Sequence, residues 1–156
     1  MKKIVVIGPE SSGKSTLCED LSAHFKSTYL PEYARIYLEN NGSKYTYEDV
    51  IKMAKGQLES ELHFTLQNPE SPLLLLDTNY LVYKVWIKEK YSKDESFIER
   101  LLKEDNYDYY FLADKNTNLK LNAESFKLIH TCALPKAKLK KAFISSRNIS
   151  FLLKLS

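Results

Sequence analysis

The chain sets Ile4-Val5-Val6-Ile7 directly before Gly8-Pro9-Glu10-Ser11-Ser12-Gly13-Lys14-Ser15-Thr16. The apolar, β-branched run between Lys3 and Gly8 predicts a short strand buried on both faces. The residues after it match G-x-x-x-x-G-K-[ST] at every fixed position. Lys14 to Phe25 then predicts a helix with Leu17, Leu21 and Ala23 to Phe25 on its inner face. The motif needs this context of strand, glycine loop and helix start. Its glycines let successive N–H groups turn inward onto phosphate oxygens, and the helix amino end adds a partial positive charge. We therefore expect Gly8, Glu10, Ser11, Ser12, Gly13, Lys14, Ser15 and Thr16 to cradle the phosphates of ATP. Lys14 would reach the β- and γ-phosphates, and the Ser15 hydroxyl would help hold Mg²⁺.

Outward from the loop, strand-like and helix-like stretches alternate. Tyr29 and Leu30 close a second strand, which Pro31 ends because it has no N–H for a ladder. Glu32 to Asn40 predicts a helix stopped by Asn40, Asn41 and Gly42. Thr46 with Asp49 is a capping signature for a long helix to about Leu66, with Val50, Ile51, Ala54, Leu58 and Leu62 on one face. Asn68, Pro69 and Pro72 break the chain. Leu73 to Leu76 is then an unbroken apolar run ending at Asp77, the pattern of a central parallel strand. Tyr80 to Lys90 carries Leu81, Val85 and Trp86 at helical spacing, and about Asp94 to Lys103 presents Phe97, Leu101 and Leu102. Tyr109 to Ala113 predicts a fourth strand. The alternation predicts an α/β sandwich built on a parallel sheet. After Ala113 the pattern weakens: Ser125 to Cys132 fits strand or helix, Lys136 to Ile144 is basic and fits a helix, and Ile149 to Leu155 fits either.

A length of 156 residues suits one domain, and 44% hydrophobic residues with 11 Tyr, 7 Phe and 1 Trp supply a core and argue against disorder. The net charge of +3 is too small to point to a nucleic-acid or membrane partner. It is unevenly spread: 14 basic and 18 acidic residues through Leu112, then 9 basic and 2 acidic. Glycine is scarce, with Gly8, Gly13, Gly42 and Gly56 the full set of 4. Cys18 and Cys132 have no Cys or His at metal spacing, and no apolar run approaches the ~20 residues of a membrane span. We expect a cytoplasmic protein with reduced thiols and no secretory leader.

Three further residues are candidates for chemistry. Asp77, delivered to the carboxyl edge of the sheet by four leucines, suits a magnesium anchor or substrate contact; the alternative is a helix cap, since Thr78 and Asn79 follow. Glu32, at the same edge, suits acceptance of a proton from a substrate hydroxyl, or is an ordinary charge in a first helical turn. Arg35 lies one turn on, placed to pair with Glu32 or to bind phosphate. Trp86 reads as core rather than as a stacking platform. His24, His63 and His130 are too scattered to form a triad or metal site, and Lys136 to Lys141 reads as a solvated basic face.

GPESSGKSTL, LPEYARIYLEN, YTYEDVIKMAKGQ, LLLLDTN with VYKVW, and YDYYFL resemble, in that order, the ribosylnicotinamide kinase domain of bacterial NadR-type proteins. The resemblance covers about residues 2–112, and its PEYAR and AKGQ segments are more specific than the phosphate loop. It implies a P-loop NTPase-like three-layer sandwich, ATP with Mg²⁺, and transfer of the γ-phosphoryl group to the 5′-hydroxyl of nicotinamide riboside, giving nicotinamide mononucleotide. By position, it implies Glu32, Tyr33, Arg35 and Asp77 as substrate-facing, Lys14, Glu32 and Asp77 as catalytic, and Ser15 and Asp77 as metal-holding.

The sequence departs from that pattern in three places. Asn79 stands where the family often has a second acid. The adenylyltransferase and DNA-binding modules of longer NadR proteins are not expected, and hence no nucleic-acid partner. The family's Trp-containing lid with an Asp-x-x-Arg segment has no counterpart, since no arginine lies between Arg100 and Arg147. We therefore expect a kinase core over residues 1–112 and a divergent or frameshifted ending over 113–156 that leaves the lid incomplete and activity impaired. A kinase for another nucleoside and a non-catalytic ATP-binding remnant are the alternatives.

Overall fold

A computed structural model describes residues 1–104, 106–113 and 142–144. In chain order the elements are β1 (Lys2–Ile7), α1 (Lys14–Phe25), β2 (Thr28–Leu30), α2 (Tyr33–Asn41), α3 (Tyr47–Gln67), β3 (Leu73–Asp77), α4 (Tyr80–Tyr91), α5 (Ser96–Lys103), β4 (Tyr109–Ala113) and β5 (Ala142–Ile144). The strands form one sheet in the order β2-β3-β1-β4-β5, with every pairing parallel. From β1 the chain crosses to β2 on one side, and from β3 it crosses to β4 on the other. The carboxyl ends of β1 and β3 therefore flank the crevice where open parallel sheets bind ligands.

Both faces of the sheet are covered, which is why β1 and β3 read as unbroken apolar runs. Ile4, Val6, Leu73, Leu75 and Phe111 pack with Leu17, Cys18 and Leu21 of α1. The alternate residues Val5, Leu74 and Leu76 point the other way, onto Ala34 of α2, Val50, Met53 and Ala54 of α3, Tyr83 and Ile87 of α4, and Ile98 of α5. The result is the expected α/β three-layer sandwich. The capping box before α3 also forms as expected, with the Thr46 hydroxyl accepting from the Asp49 N–H and the Asp49 carboxylate accepting from the Thr46 N–H.

One helix departs from its apolar spacing in its last turns and another turns a different face inward; in α3, Val50 and Ala54 are buried and Ile51 and Leu58 pack on the core as expected. In α3 the buried stripe runs through Gly56, Gln57 and Glu61, while Leu62 is 54% exposed. Glu61 and the Oε1 of Gln57 have hydrogen-bond partners there, while Gln57 Nε2 has none among the described residues. Glu61 accepts hydrogen bonds from Tyr107 Oη (2.6 Å) and Tyr80 Oη (3.2 Å), with Lys3 Nζ 3.7 Å away. In α4 the core side is Tyr80, Tyr83 and Ile87, and Leu81 and Val85 remain 39% and 49% exposed. The tail brings a third difference. Ala142–Ile144, expected at the end of a helix, is a strand that pairs with Phe111–Ala113 along the sheet edge. An apolar run with an aromatic and a β-branched residue fits that position. The segments Ser125 to Cys132, Lys136 to Lys141 and Ile149 to Leu155 lie outside the described residues. Among the described residues no helix is long and apolar enough to cross a membrane.

Candidate active site

The loop between β1 and α1 requires glycine twice, for different reasons. A Cβ on Gly8 would lie 2.2 Å from the Ala113 carbonyl oxygen at the end of β4. Gly13 has open space but a φ of +81°, the left-handed conformation with which it caps α1. Between them the buried Ser12 Oγ and the Lys14 Nζ both donate to the Pro9 carbonyl at 2.8 Å. The loop thus folds around one acceptor, and α1 starts behind it.

Asp77 ends β3 fully buried beside the loop. Its Oδ2 accepts a hydrogen bond from Ser15 Oγ at 2.6 Å, while Oδ1 has no partner. The cap of α4 belongs instead to Asn79, whose Oδ1 accepts from the Leu81 N–H at 3.1 Å. Thr78, between the two, has a φ of +78°, and its N–H bonds the Val6 carbonyl at 2.9 Å. A β-branched residue in that region stores about 1–3 kcal/mol of strain, and such strain concentrates at functional sites.

Glu32 and Arg35 approach from α2. Glu32 is the N-cap residue, yet its side chain makes no capping hydrogen bond. Burial raises its pKa above the ordinary carboxylate value and the charge of Asp77 adds to this, while Lys14 and Arg35 pull the other way. Arg35 does not turn back to Glu32; its Nη2 donates to Ser15 Oγ at 3.0 Å. The Ser15 hydroxyl therefore links the loop, the end of β3 and α2.

These groups border a cleft of about 620 Å³, within the range of small-molecule sites. Gly8, Glu10, Ser11 and Lys14 of the loop, together with Glu32, Arg35 and Thr78, form its polar side. Leu38 of α2 and Leu81, Val82, Val85 and Trp86 of α4 form an apolar wall opposite. Trp86 is thus not simply core. It stacks on Tyr45 with ring centroids 5.7 Å apart and an interplanar angle of 23°, meets Tyr83 edge-on, and borders the cleft. Tyr33 does not line the cleft; its ring packs over the backbone of Gly56. Ser12, Gly13, Ser15, Thr16 and Asp77 lie in or behind the loop rather than on the wall.

The donor set suits a hard divalent cation. A buried carboxylate oxygen without a hydrogen bond, next to a hydroxyl in the phosphate loop, offers the oxygen ligands that Mg²⁺ takes alongside phosphate and water. Among the described residues no group of three or more His, Cys, Asp or Glu could by itself hold a metal.

Sequence reasoning missed Thr78, Leu38, the wall of α4 and Gln57. The wall had a usable signal: an apolar helix that starts directly after the acidic strand end faces the ligand edge with its first two turns.

A family model described as AAA domain matches residues 3–131, past Leu112 where the motif resemblance stops. The trifunctional NAD biosynthesis/regulator proteins NadR of Salmonella typhimurium and of Escherichia coli are each 27% identical over 121 residues, which is 75% of this chain and 29% of theirs. The chain thus spans under a third of the length of these curated relatives. The crystal structure of NadR protein in complex with NR superposes with a TM-score of 0.64 at 24% identity, over 71% of this chain and 32% of that one. The complex of NadR protein with NAD and AMP-PNP gives 0.64 at 21%, over 84% and 39%. The fold is therefore shared with NadR, and with a family match over most of its length this chain belongs to the AAA domain family, as a phosphate-loop segment similar to that of NadR proteins.

Proposed function

We propose that the protein is an ATP- and Mg²⁺-dependent kinase that phosphorylates the 5′-hydroxyl of nicotinamide riboside. The observation that carries this is the junction of Ser15, Asp77 and Arg35 beside a cleft that Glu32 enters from the end of β2 at the same sheet edge. Ser15 and Asp77 would hold Mg²⁺, which when bound offsets the charge on the transferred phosphates. Lys14 neutralises charge on the terminal phosphates, and the loop N–H groups orient them. Glu32 accepts the proton of the attacking hydroxyl; its raised pKa makes it the stronger base. The apolar wall with Trp86 takes the flat ring of the nucleoside. Similarity to NadR proteins of NAD biosynthesis, one of which is known in complex with NR, supports nicotinamide riboside as the acceptor.

A panel of nucleosides assayed for acceptor-dependent ADP release tests this. Nicotinamide riboside should be turned over fastest. Faster turnover of another nucleoside would keep the kinase and replace its acceptor. ATP binding with no acceptor-dependent ADP release would identify a non-catalytic remnant.

A further inference from the structure

The first N–H groups of a helix have no partner within it, and an N-cap side chain normally supplies one. Glu32 occupies that position in α2 and supplies none. One of the free N–H groups at the start of α2 finds its acceptor on another helix. The Tyr33 N–H donates to Gln57 Oε1 at 2.9 Å, and Gln57, in the middle of α3, is 0% exposed. The preceding residue makes this approach possible. A Cβ on Gly56 would lie 2.1, 2.3 and 2.6 Å from three carbons of the Tyr33 ring, so glycine leaves the room in which that ring packs on α3. The AKGQ and PEYAR segments therefore meet face to face, one ring on one backbone, with one hydrogen bond across.

We propose that Gln57, admitted by Gly56, is a positioning residue for Glu32: by capping the Tyr33 N–H from outside α2 it holds the Glu32–Tyr33 peptide in place, so that the Glu32 carboxylate faces the cleft. The Tyr33 N–H belongs to the peptide that joins Tyr33 to Glu32. Fixing that peptide from α3 fixes the direction in which the Glu32 side chain leaves the start of α2. This rests on the kinase reading for its consequence in turnover, but the capping itself is independent of any activity.

The test begins with the unmodified protein. Amide exchange should show the Tyr33 N–H protected, and a scalar coupling across the hydrogen bond should link it to the Gln57 side-chain carbonyl. An unprotected Tyr33 amide would overturn the proposal. In Gln57→Met, of similar length without an acceptor, Tyr33 exchange should quicken by about tenfold, near the upper worth of one hydrogen bond. Turnover should fall by about 10- to 100-fold, as expected for a misplaced catalytic group, with ADP affinity unchanged. Turnover equal to the unmodified protein, or loss of ADP affinity in step with turnover, would also overturn it. If the unmodified protein phosphorylates no nucleoside, the kinase reading fails, and Tyr33 exchange alone decides the capping. If Gln57→Met does not fold, the unmodified protein's coupling and exchange decide.

Discussion

At Asp77 two oxygens have different fates: one is bonded to Ser15 and the other is buried without a partner. Asp77→Asn keeps an oxygen for Ser15 but removes the charge. It should leave metal-free nucleotide binding intact and cut Mg²⁺-dependent turnover by about 10² to 10³, the scale of losing one preorganised electrostatic contact. Calorimetric titration of ADP with and without Mg²⁺ checks the binding half. Gly8 makes a different demand, set by the backbone of β4 rather than by ligand. Gly8→Ala forces a methyl against the Ala113 carbonyl and should cost about 1–3 kcal/mol in chemical denaturation, as overpacking does. These residues were legible in sequence because each fixed position of the loop answers to its own physical need. Gln57 was not, since a glutamine in a helix reads as surface until its partner on another helix is seen.

Between elements, packing rather than pattern decided which face went inward. Leu81 and Val85 share a spacing that suits a core and a ligand wall equally well, and only the position of α4 at the end of β3 separates the two. Trp86→Ala should therefore raise the KM for the nucleoside while leaving that for ATP unchanged, which steady-state kinetics with each substrate varied would show. Below the sheet, Glu61 ties α3 to α4 and to the approach to β4. Burial raises its pKa above the ordinary 4.5, more than Tyr107, Lys3 and Tyr80 lower it. A carboxyl whose folded pKa exceeds its unfolded one favours folding most when protonated, below the unfolded value, and loses that contribution as pH rises through the folded value. Relative to the unmodified protein, Glu61→Gln should thus become progressively more stable as pH rises from 4.5 through the folded-state pKa. Urea denaturation of both proteins across that interval checks the sign.

For the whole molecule, alternating runs sufficed to place the front of the domain, from β1 to β4, within a residue or two of its observed elements. The back was less legible, because a short basic stretch of weak periodicity carries no register information. β5 shows that the chain returns to the sheet beside β4. We propose that residues beyond Ala113 are a divergent or out-of-frame ending of this domain. Absence of an Asp-x-x-Arg segment from both alternative frames of the coding DNA would remove the frameshift. Because the loop, β3 and α2 converge on one cleft, nucleotide should stabilise the molecule as a unit, by about 2.7 kcal/mol at a hundredfold excess over Kd. The most direct measurement is detection of the product: unmodified protein and Lys14→Ala are incubated with γ-labelled ATP, Mg²⁺ and nicotinamide riboside. The account predicts label on the 5′-oxygen of the nucleoside with the unmodified protein and none with Lys14→Ala; equal labelling by the two, or none by either, would contradict it.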